Sequence, residues 1–154
     1  MQNQKEFIQS LFNKKERKNL WILPAITNGD IDLEQTRVTT WLHPSGHIGY
    51  VVYNDGKNIW AFMMDRLISK QPSDKAGICD WCKSANHINR LAMFSLKTAE
   101  NKTSGFYLCS DLDCLSSIKN PNQNSIQETL TREEKQSRYF NNLEAFISKY
   151  IKKD

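Results

Sequence analysis

Four cysteines, spaced as two pairs, constrain the fold of this chain more than any other feature of its sequence. They form a C-x2-C pair and, 26 residues later, a C-x4-C pair: Cys79, Cys82, Cys109 and Cys114. Zinc takes four ligands in a tetrahedron, and soft thiolates suit it. We therefore expect the two pairs to converge on one Zn2+ site. Four thiolates leave no open position for water or substrate, so the role of that site would be structural.

Redox chemistry, disulfide bonds and plain packing compete with zinc as roles for the cysteines. A thioredoxin-like redox pair follows a strand and begins a helix, whereas a polar loop precedes Cys79. The N-terminus lacks the apolar stretch of a secretory signal, so we expect a cytoplasmic chain whose thiols stay reduced, which disfavours disulfides. The remaining alternative is that the thiols pack in a core and bind nothing.

The segment YLCSDLDC places the second cysteine pair between a strand and a helix. Cys109 is expected at the end of the strand. Ser110 and Asp113 have the spacing of a capping box, which puts Cys114 in the first helical turn. Asp111 and Asp113 are accordingly interpreted as residues of the helix start, not as metal ligands. A strand, a cysteine, a turn and a cysteine on a helix start form half of a treble-clef zinc finger, and the C-x2-C knuckle is the other half.

The three histidines are not expected to bind the metal. His87 follows Cys82 by five residues, but a C-x2-C-x4-H-x4-C knuckle would need its last cysteine at Ala92. We interpret His87 as a residue that packs near the site. His43 and His47 flank a turn with no third partner nearby in sequence, and we interpret both as strand-end residues.

Hydrophobic periodicity predicts the elements around the cysteines. Apolar residues at helical spacing predict an N-terminal helix within 1–20. Three short apolar runs within 36–66 are joined by turn residues, among them Asp55-Gly56, and predict an antiparallel meander. The zinc module is expected over 77–120.

The last element is an amphipathic helix predicted over 130–152. Thr131 and Glu134 have the spacing of a capping box at its start. The predicted fold class is therefore α+β: an antiparallel sheet with N- and C-terminal helices and a four-cysteine treble-clef zinc finger. A length of 154 residues favours a single domain, 1–154, for the whole arrangement.

Composition and charge narrow the classes of function. Hydrophobic residues make up 39% of the chain, charged residues 25%, and no apolar run is long enough to span a membrane. The net charge of +4 allows an RNA or an acidic protein partner. Four cations lie at the end of the first predicted helix: Lys14, Lys15, Arg17 and Lys18. This cluster has two interpretations, a solvated helix terminus and a contact with RNA or a protein partner.

No catalytic motif accompanies the cysteines. The sequence contains no Gly-rich phosphate loop, no nucleophile elbow and no H-E-x-x-H. We therefore expect a protein that is not an enzyme and has no small-molecule substrate.

Four segments together resemble a known family. CDWC, RLAMFSLK, GFYLCSDLDC and ETLT, which opens the last helix, are similar to the FBP (FusB-type) proteins that bind bacterial elongation factor G, some of which confer resistance to fusidic acid. The resemblance is to their C-terminal treble-clef zinc-finger region and extends from about Trp21 to Tyr150. The spacing of all four cysteines follows the family pattern.

The resemblance implies a function without catalysis. Family members bind elongation factor G on the ribosome through the zinc-finger region and promote release of a factor stalled by the drug. This sequence has one predicted helix before the sheet instead of the separate N-terminal helical domain of the resistance proteins. Binding to the factor is thus the primary expectation, and release with fusidic acid resistance is the secondary one.

Four residues near the knuckle are candidates for contacting the partner: Trp81, Lys83, Lys102 and Phe106. Trp81 lies between two ligands and is expected to point outward, since an exposed Trp beside cations is a common hot spot. In the alternative, Trp81 folds over the metal and Phe106 belongs to the core. The alternative function is a zinc-containing RNA-binding or rRNA-binding protein, which would need massed basic residues and stacking aromatics on one face.

Overall fold

The computed structural model describes residues 4–67, 76–87, 90–99, 102–119 and 129–151. The helices are α1 (Gln4–Leu11), α2 (Lys14–Arg17), α3 (Pro24–Thr27), α4 (Cys114–Lys119) and α5 (Arg132–Tyr150). The strands are β1 (Val38–Leu42), β2 (Ile48–Asn54), β3 (Ile59–Leu67), β4 (Ala76–Ile78), β5 (Ala85–His87), β6 (Leu91–Ala99) and β7 (Lys102–Cys109). No helix in these ranges combines the length and the apolar character needed to cross a membrane.

The chain divides into two compact units, the first ending at Met63 and the second beginning at Met64. The prediction of one domain over 1–154 concerns folding as a unit, and this division does not test it. Strands β1, β2, β3, β6 and β7 form one five-stranded sheet in that order, with antiparallel pairing, while β4 and β5 form a separate antiparallel pair. With helices at both ends of the chain, the predicted α+β class is confirmed.

An aromatic cluster holds the first unit together. The rings of Trp41 and Tyr50 stack 5.2 Å apart, and the edge of Phe12 meets both. The Trp41 Nε1–H donates to the Trp21 carbonyl over 2.8 Å, and the Tyr50 hydroxyl donates to the Asn19 carbonyl. These two hydrogen bonds fix the segment between α2 and α3 on the sheet. They also satisfy the Trp41 and Tyr50 polar groups, which are buried among apolar side chains.

The N-terminal helix is two helices, so the prediction of one continuous helix there is wrong. The Asn13 side chain accepts the Glu16 N–H over 2.9 Å, and the Glu16 carboxylate accepts the Asn13 N–H, which makes a capping box. Asn favours such caps because its short amide competes with helical backbone bonds. The chain therefore ends α1 at Leu11 and begins α2 at Lys14, with Ile8 and Phe12 still buried as the periodicity predicted.

The hairpin of β6 and β7 forms the body of the second unit. Its register runs from Leu91 opposite Cys109 to Ala99 opposite Lys102, with one irregularity between Lys97 and Ala99. Helix α5 contributes a buried apolar stripe at helical spacing: Tyr139, Leu143, Phe146 and Ile147. The unit is thus a sheet covered by a helix around an apolar core.

The start of α5 is set by the predicted capping box. The Thr131 hydroxyl accepts the Glu134 N–H over 3.2 Å, and the Glu134 carboxylate accepts the Thr131 N–H over 3.0 Å. The second bond lowers the pKa of Glu134. Both bonds satisfy amides that have no partner inside the helix, and the chain enters α5 at a fixed position.

We predict that Thr131→Ala lowers the free energy of unfolding by about 1 kcal/mol, because one helix-start amide loses its acceptor. The measurement is the urea midpoint at unchanged m-value. Thr36→Ala, in the exposed loop before β1, is the matched control and should leave the midpoint in place. Equal midpoints for the two variants would mean that the cap contributes nothing.

Candidate metal centre

The first cysteine pair lies in a tight turn between β4 and β5. The Cys82 N–H donates to the Cys79 Sγ over 3.5 Å, and the Lys83 N–H donates to the Cys79 carbonyl over 2.8 Å. Lys83 has φ 59°, a left-handed conformation that costs a non-glycine residue on the order of 1–3 kcal/mol. The Asp80 carboxylate accepts the Tyr107 N–H over 3.1 Å and so ties this turn to β7.

The second pair joins the end of β7 to the start of α4. Cys109 is the last residue of the strand and Cys114 the first of the helix. Leu112 between them has φ 60° and is fully buried, and its N–H donates to the Cys109 carbonyl over 2.8 Å. One left-handed residue thus follows the first pair and another lies within the second pair, and each donates its N–H to the carbonyl of the first cysteine of its pair.

The helix start at Cys114 is capped by Asp113, so the expectation that Ser110 caps it is wrong. Asp113 accepts the Ser116 N–H over 3.2 Å, and Asp111 accepts the Asp113 N–H over 2.9 Å. The helix begins at Cys114, so its N-cap position is Asp113, and the Ser110 hydroxyl instead accepts a hydrogen bond from the Arg66 guanidinium over 2.6 Å. The two aspartates are helix-start residues, as the sequence indicated.

The two pairs converge. The Sγ atoms of Cys79 and Cys114 are 3.7 Å apart, as are those of Cys82 and Cys109, and all four lie within 4.8 Å of one another. None of the four forms a disulfide. A tetrahedron with ~2.3 Å metal–sulfur bonds has sulfur–sulfur edges of ~3.8 Å. The cluster therefore has the size that a tetrahedral ion with thiolate ligands requires.

The protonation of the four cysteine thiols favours a bound cation. All four thiols are buried, and at this spacing they interact strongly. Thiol hydrogen bonds from Cys109 and Cys114 lower the pKa of Cys82, whereas the hydrogen bond with Cys109, the other thiols and burial raise the pKa of Cys114. The protein groups alone would leave some of the thiols protonated. A divalent cation removes that conflict, and burial of all four donors makes the site a closed, structural one.

Three side chains that the cysteine pattern did not indicate hold the two turns. The Arg138 Nε–H and the Asn142 amide, both on α5, donate to the carbonyls of Cys82 and Trp81 over 2.9 and 2.8 Å. Arg66 on β3 donates to the Ser110 carbonyl over 2.9 Å. The spacing of four between Arg138 and Asn142 puts both on one helix face beside the apolar stripe, and this is the signal by which the sequence could have revealed them.

The candidate partner residues lie in different environments. Trp81 is 1% exposed and packs edge-on against Phe146. Of the two orientations that the sequence left open, the buried one is observed, and the expectation that Trp81 points outward is wrong. Its large apolar surface gains more by covering the core of the second unit than by facing water. Phe106 is half-buried and contacts Phe146 and Tyr150. Lys83 and Lys102 are both exposed. Lys102 begins β7 and Cys109 ends it, about 20 Å away along the strand, so the expectation that Lys102 lies near the knuckle is wrong.

The three histidines lie at or next to the ends of strands. His43 and His47 are in the turn between β1 and β2, where the Ser45 N–H donates to the His43 Nδ1 over 3.0 Å. His87 is the last residue of β5, and its side chain lies outside the described part of the structure. Within the described ranges, one group of side chains could hold a metal ion, and it consists of the four cysteines.

Comparison with known proteins relates the chain to a protein family and to a solved structure. The family model "FBP C-terminal treble-clef zinc-finger" matches residues 6–150. A solved structure, that of the fusidic acid resistance protein FusC, superposes with a TM-score of 0.55 at 20% sequence identity and covers 93% of this chain and 56% of FusC. The chain thus spans little more than half of that protein, and the likeness is one of fold. A search of curated proteins found no match.

We predict that Cys109→Ser removes the metal and unfolds the second unit. A structural zinc site contributes about 10–16 kcal/mol in model peptides, which exceeds or equals the net stability of a typical domain. Metal content by atomic emission and melting by circular dichroism measure both effects. Ser117→Ala, a small exposed change on α4, is the control. A metal-free Cys109→Ser protein that melts like the parent would contradict a structural role.

We also predict that Arg138→Met speeds metal release about tenfold, the lower end of what partners of metal ligands contribute. The substitution preserves the side-chain stem and removes the hydrogen bond to the Cys82 carbonyl. Release is timed with a chromogenic chelator. Arg132→Met is the control, because Arg132 lies on the same helix and bonds the Lys119 carbonyl instead. Identical release from both variants would show that Arg138 does not position the turn.

Proposed function

Because the chain belongs to the FBP C-terminal treble-clef zinc-finger family, we propose that it binds translation elongation factor G in the cytoplasm and acts without catalysis. The observation that carries this proposal is the family match over residues 6–150, which includes all four clustered cysteines. For the resistance proteins, the sequence resemblance implies that binding leads to release of the factor from the ribosome. We propose the same action for this chain: it binds elongation factor G and promotes release of the factor from the ribosome.

We propose Zn2+ as the ion held by the four cysteines. The donor set is entirely thiolate, its dimensions suit a tetrahedron, and the family is described as a zinc finger. When bound, the ion supplies charge compensation and fixes the two turns relative to each other. The chain's own residues then do the recognition, since a buried four-thiolate site offers nothing to a partner directly.

The proposed contact region for the factor extends from the first cysteine turn along β7. Lys83, directly after the cysteine pair of that turn, and Lys102, at the opposite end of β7 from Cys109, are both exposed, and Phe106 is half-buried in the same strand. Ile78 and Tyr107 are among the large apolar residues that the described part of the chain leaves exposed, at 55% and 43%. Apolar contacts flanked by cations suit an acidic partner.

Fusidic acid resistance is the finer part of the proposal. FusC is described as a fusidic acid resistance protein, and this chain has its fold over 93% of its own length. If release of the factor follows from binding by the zinc-finger region, expression of this chain should raise the fusidic acid tolerance of a sensitive host. Unchanged tolerance in cells in which the chain captures the factor would restrict the function to binding.

The decisive experiment is capture of purified elongation factor G by the immobilised zinc-loaded chain. We predict micromolar or tighter binding that Lys83→Glu/Lys102→Glu weakens about tenfold, equivalent to about 1.4 kcal/mol. Lys5→Glu/Lys57→Glu changes the net charge equally at two other exposed lysines and should leave the affinity within twofold. The proposal fails if no complex forms at micromolar concentrations of the zinc-loaded protein.

A further inference from the structure

Helix α2 and the residue that follows it carry four exposed cations on the first unit. We call this set the basic turn: Lys14, Lys15, Arg17 and Lys18. Seven Lys and Arg residues lie between 4 and 63, so these five consecutive positions carry more than half of the unit's cations. Six acids lie in the same range, which leaves the unit nearly neutral while one short segment of it is strongly positive.

The one acid inside the basic turn points toward the backbone. One Glu16 oxygen accepts the Asn13 N–H of the capping box, and the other accepts the Met63 N–H over 3.0 Å. The Arg17 Nε–H donates to the Phe12 carbonyl over 2.9 Å. These bonds fix α2 on β3 with its acid turned to the strand, so the three lysines remain toward solvent on an anchored segment.

The unit's main acidic segment lies at the other end of α1. Asp30, Asp32 and Glu34 are exposed in the loop after α3. The Gln4 side chain at the start of α1 donates to the Ile31 carbonyl over 2.5 Å, which places this loop at the opposite end of the helix from the basic turn. Eight residues of α-helix separate the two ends by about 12 Å, roughly one and a half Debye lengths at physiological salt. The positive field of the basic turn is therefore not cancelled locally.

The surroundings of the basic turn favour a partner recognised through charge alone. All large apolar residues classed as exposed in the described ranges come after Met63: Leu67, Ile78 and Tyr107. No aromatic ring between residues 4 and 63 is fully exposed: Phe12 and Tyr50 are buried, at 1% and 0% exposure, and Trp21 is partly buried with its ring against His43. Protein interfaces need an apolar centre, and single-stranded nucleic acids need stacking aromatics. Binding to the phosphate backbone of a duplex, in contrast, requires cationic side chains that can reach the phosphates. Lysine suits this role because its ammonium group is a point charge on a flexible stem.

We propose that the basic turn is a contact surface for the phosphate backbone of double-helical nucleic acid. Its lysines bind phosphate oxygens without contacting base edges, so binding is independent of sequence and falls with salt. This contact lies on the first unit and is separate from the zinc module and from the proposed binding of elongation factor G.

The test measures binding of the zinc-loaded chain to a fluorescent RNA hairpin and to a DNA hairpin of the same sequence over a range of salt concentrations. Lys14→Ala/Lys15→Ala/Lys18→Ala should reduce the slope of log K against log salt by about 2 to 3, since each phosphate contact contributes just under one unit. The triple Lys→Arg variant should retain the slope. Whichever hairpin is bound more tightly by the parent identifies the natural source of the duplex.

The matched control is Lys5→Ala/Lys57→Ala/Lys97→Ala, which removes the same charge from three scattered exposed positions. Equal losses of slope in the two alanine triples would show that only net charge matters and would overturn the proposal. It would also be overturned if the basic-turn variant bound both hairpins normally and lost elongation factor G instead. Unchanged melting of the variants confirms that the exposed substitutions leave the fold intact.

Discussion

Four buried thiols within 4.8 Å of one another are the constraint on which the second unit depends. Their sulfurs come from segments up to 35 residues apart, and thiolate charges held this close would repel one another without a cation. Two left-handed residues, Lys83 and Leu112, add backbone strain to the same site. Metal–thiolate bonds would offset both costs, and we therefore expect metal binding and folding of the unit to be coupled.

Local chemistry was predictable from the sequence. The capping box of Thr131 and Glu134 lies three residues apart in the chain, and the structure contains it. The cysteine pattern likewise predicted the convergence, because two knuckles that use every cysteine have few other arrangements. Asn13 and Glu16 have the same cap spacing, but the apolar stripe that continues across the break between α1 and α2 favoured one continuous helix. Periodicity reports which face is buried, and the backbone can end one helix and begin another without changing that face.

Contacts between distant segments were not predictable in the same way. The position of Trp81 between two ligands suggested exposure, but its ring packs against Phe146 of α5, a contact set by how the helix crosses the hairpin. Arg138 and Asn142 reach the carbonyls of the cysteine turn across 56 and 61 residues of sequence. Polar residues on an amphipathic helix are normally solvated, so the shared helix face of those two residues was a weak signal and did not identify the carbonyls that they reach.

A closed structural metal site also determines how recognition can work. Because the ion is surrounded by buried sulfurs, it contributes to binding only by fixing the direction of side chains on the outside of the turn. Lys83 illustrates the coupling: its left-handed backbone donates its N–H to the Cys79 carbonyl, so the backbone from which its exposed side chain extends belongs to the closed turn. Loss of the ion would therefore weaken a partner contact made by Lys83 although no ligand touches the partner. The core of the first unit is built from aromatic and aliphatic side chains and contains no cysteine, so the ion takes no part in it.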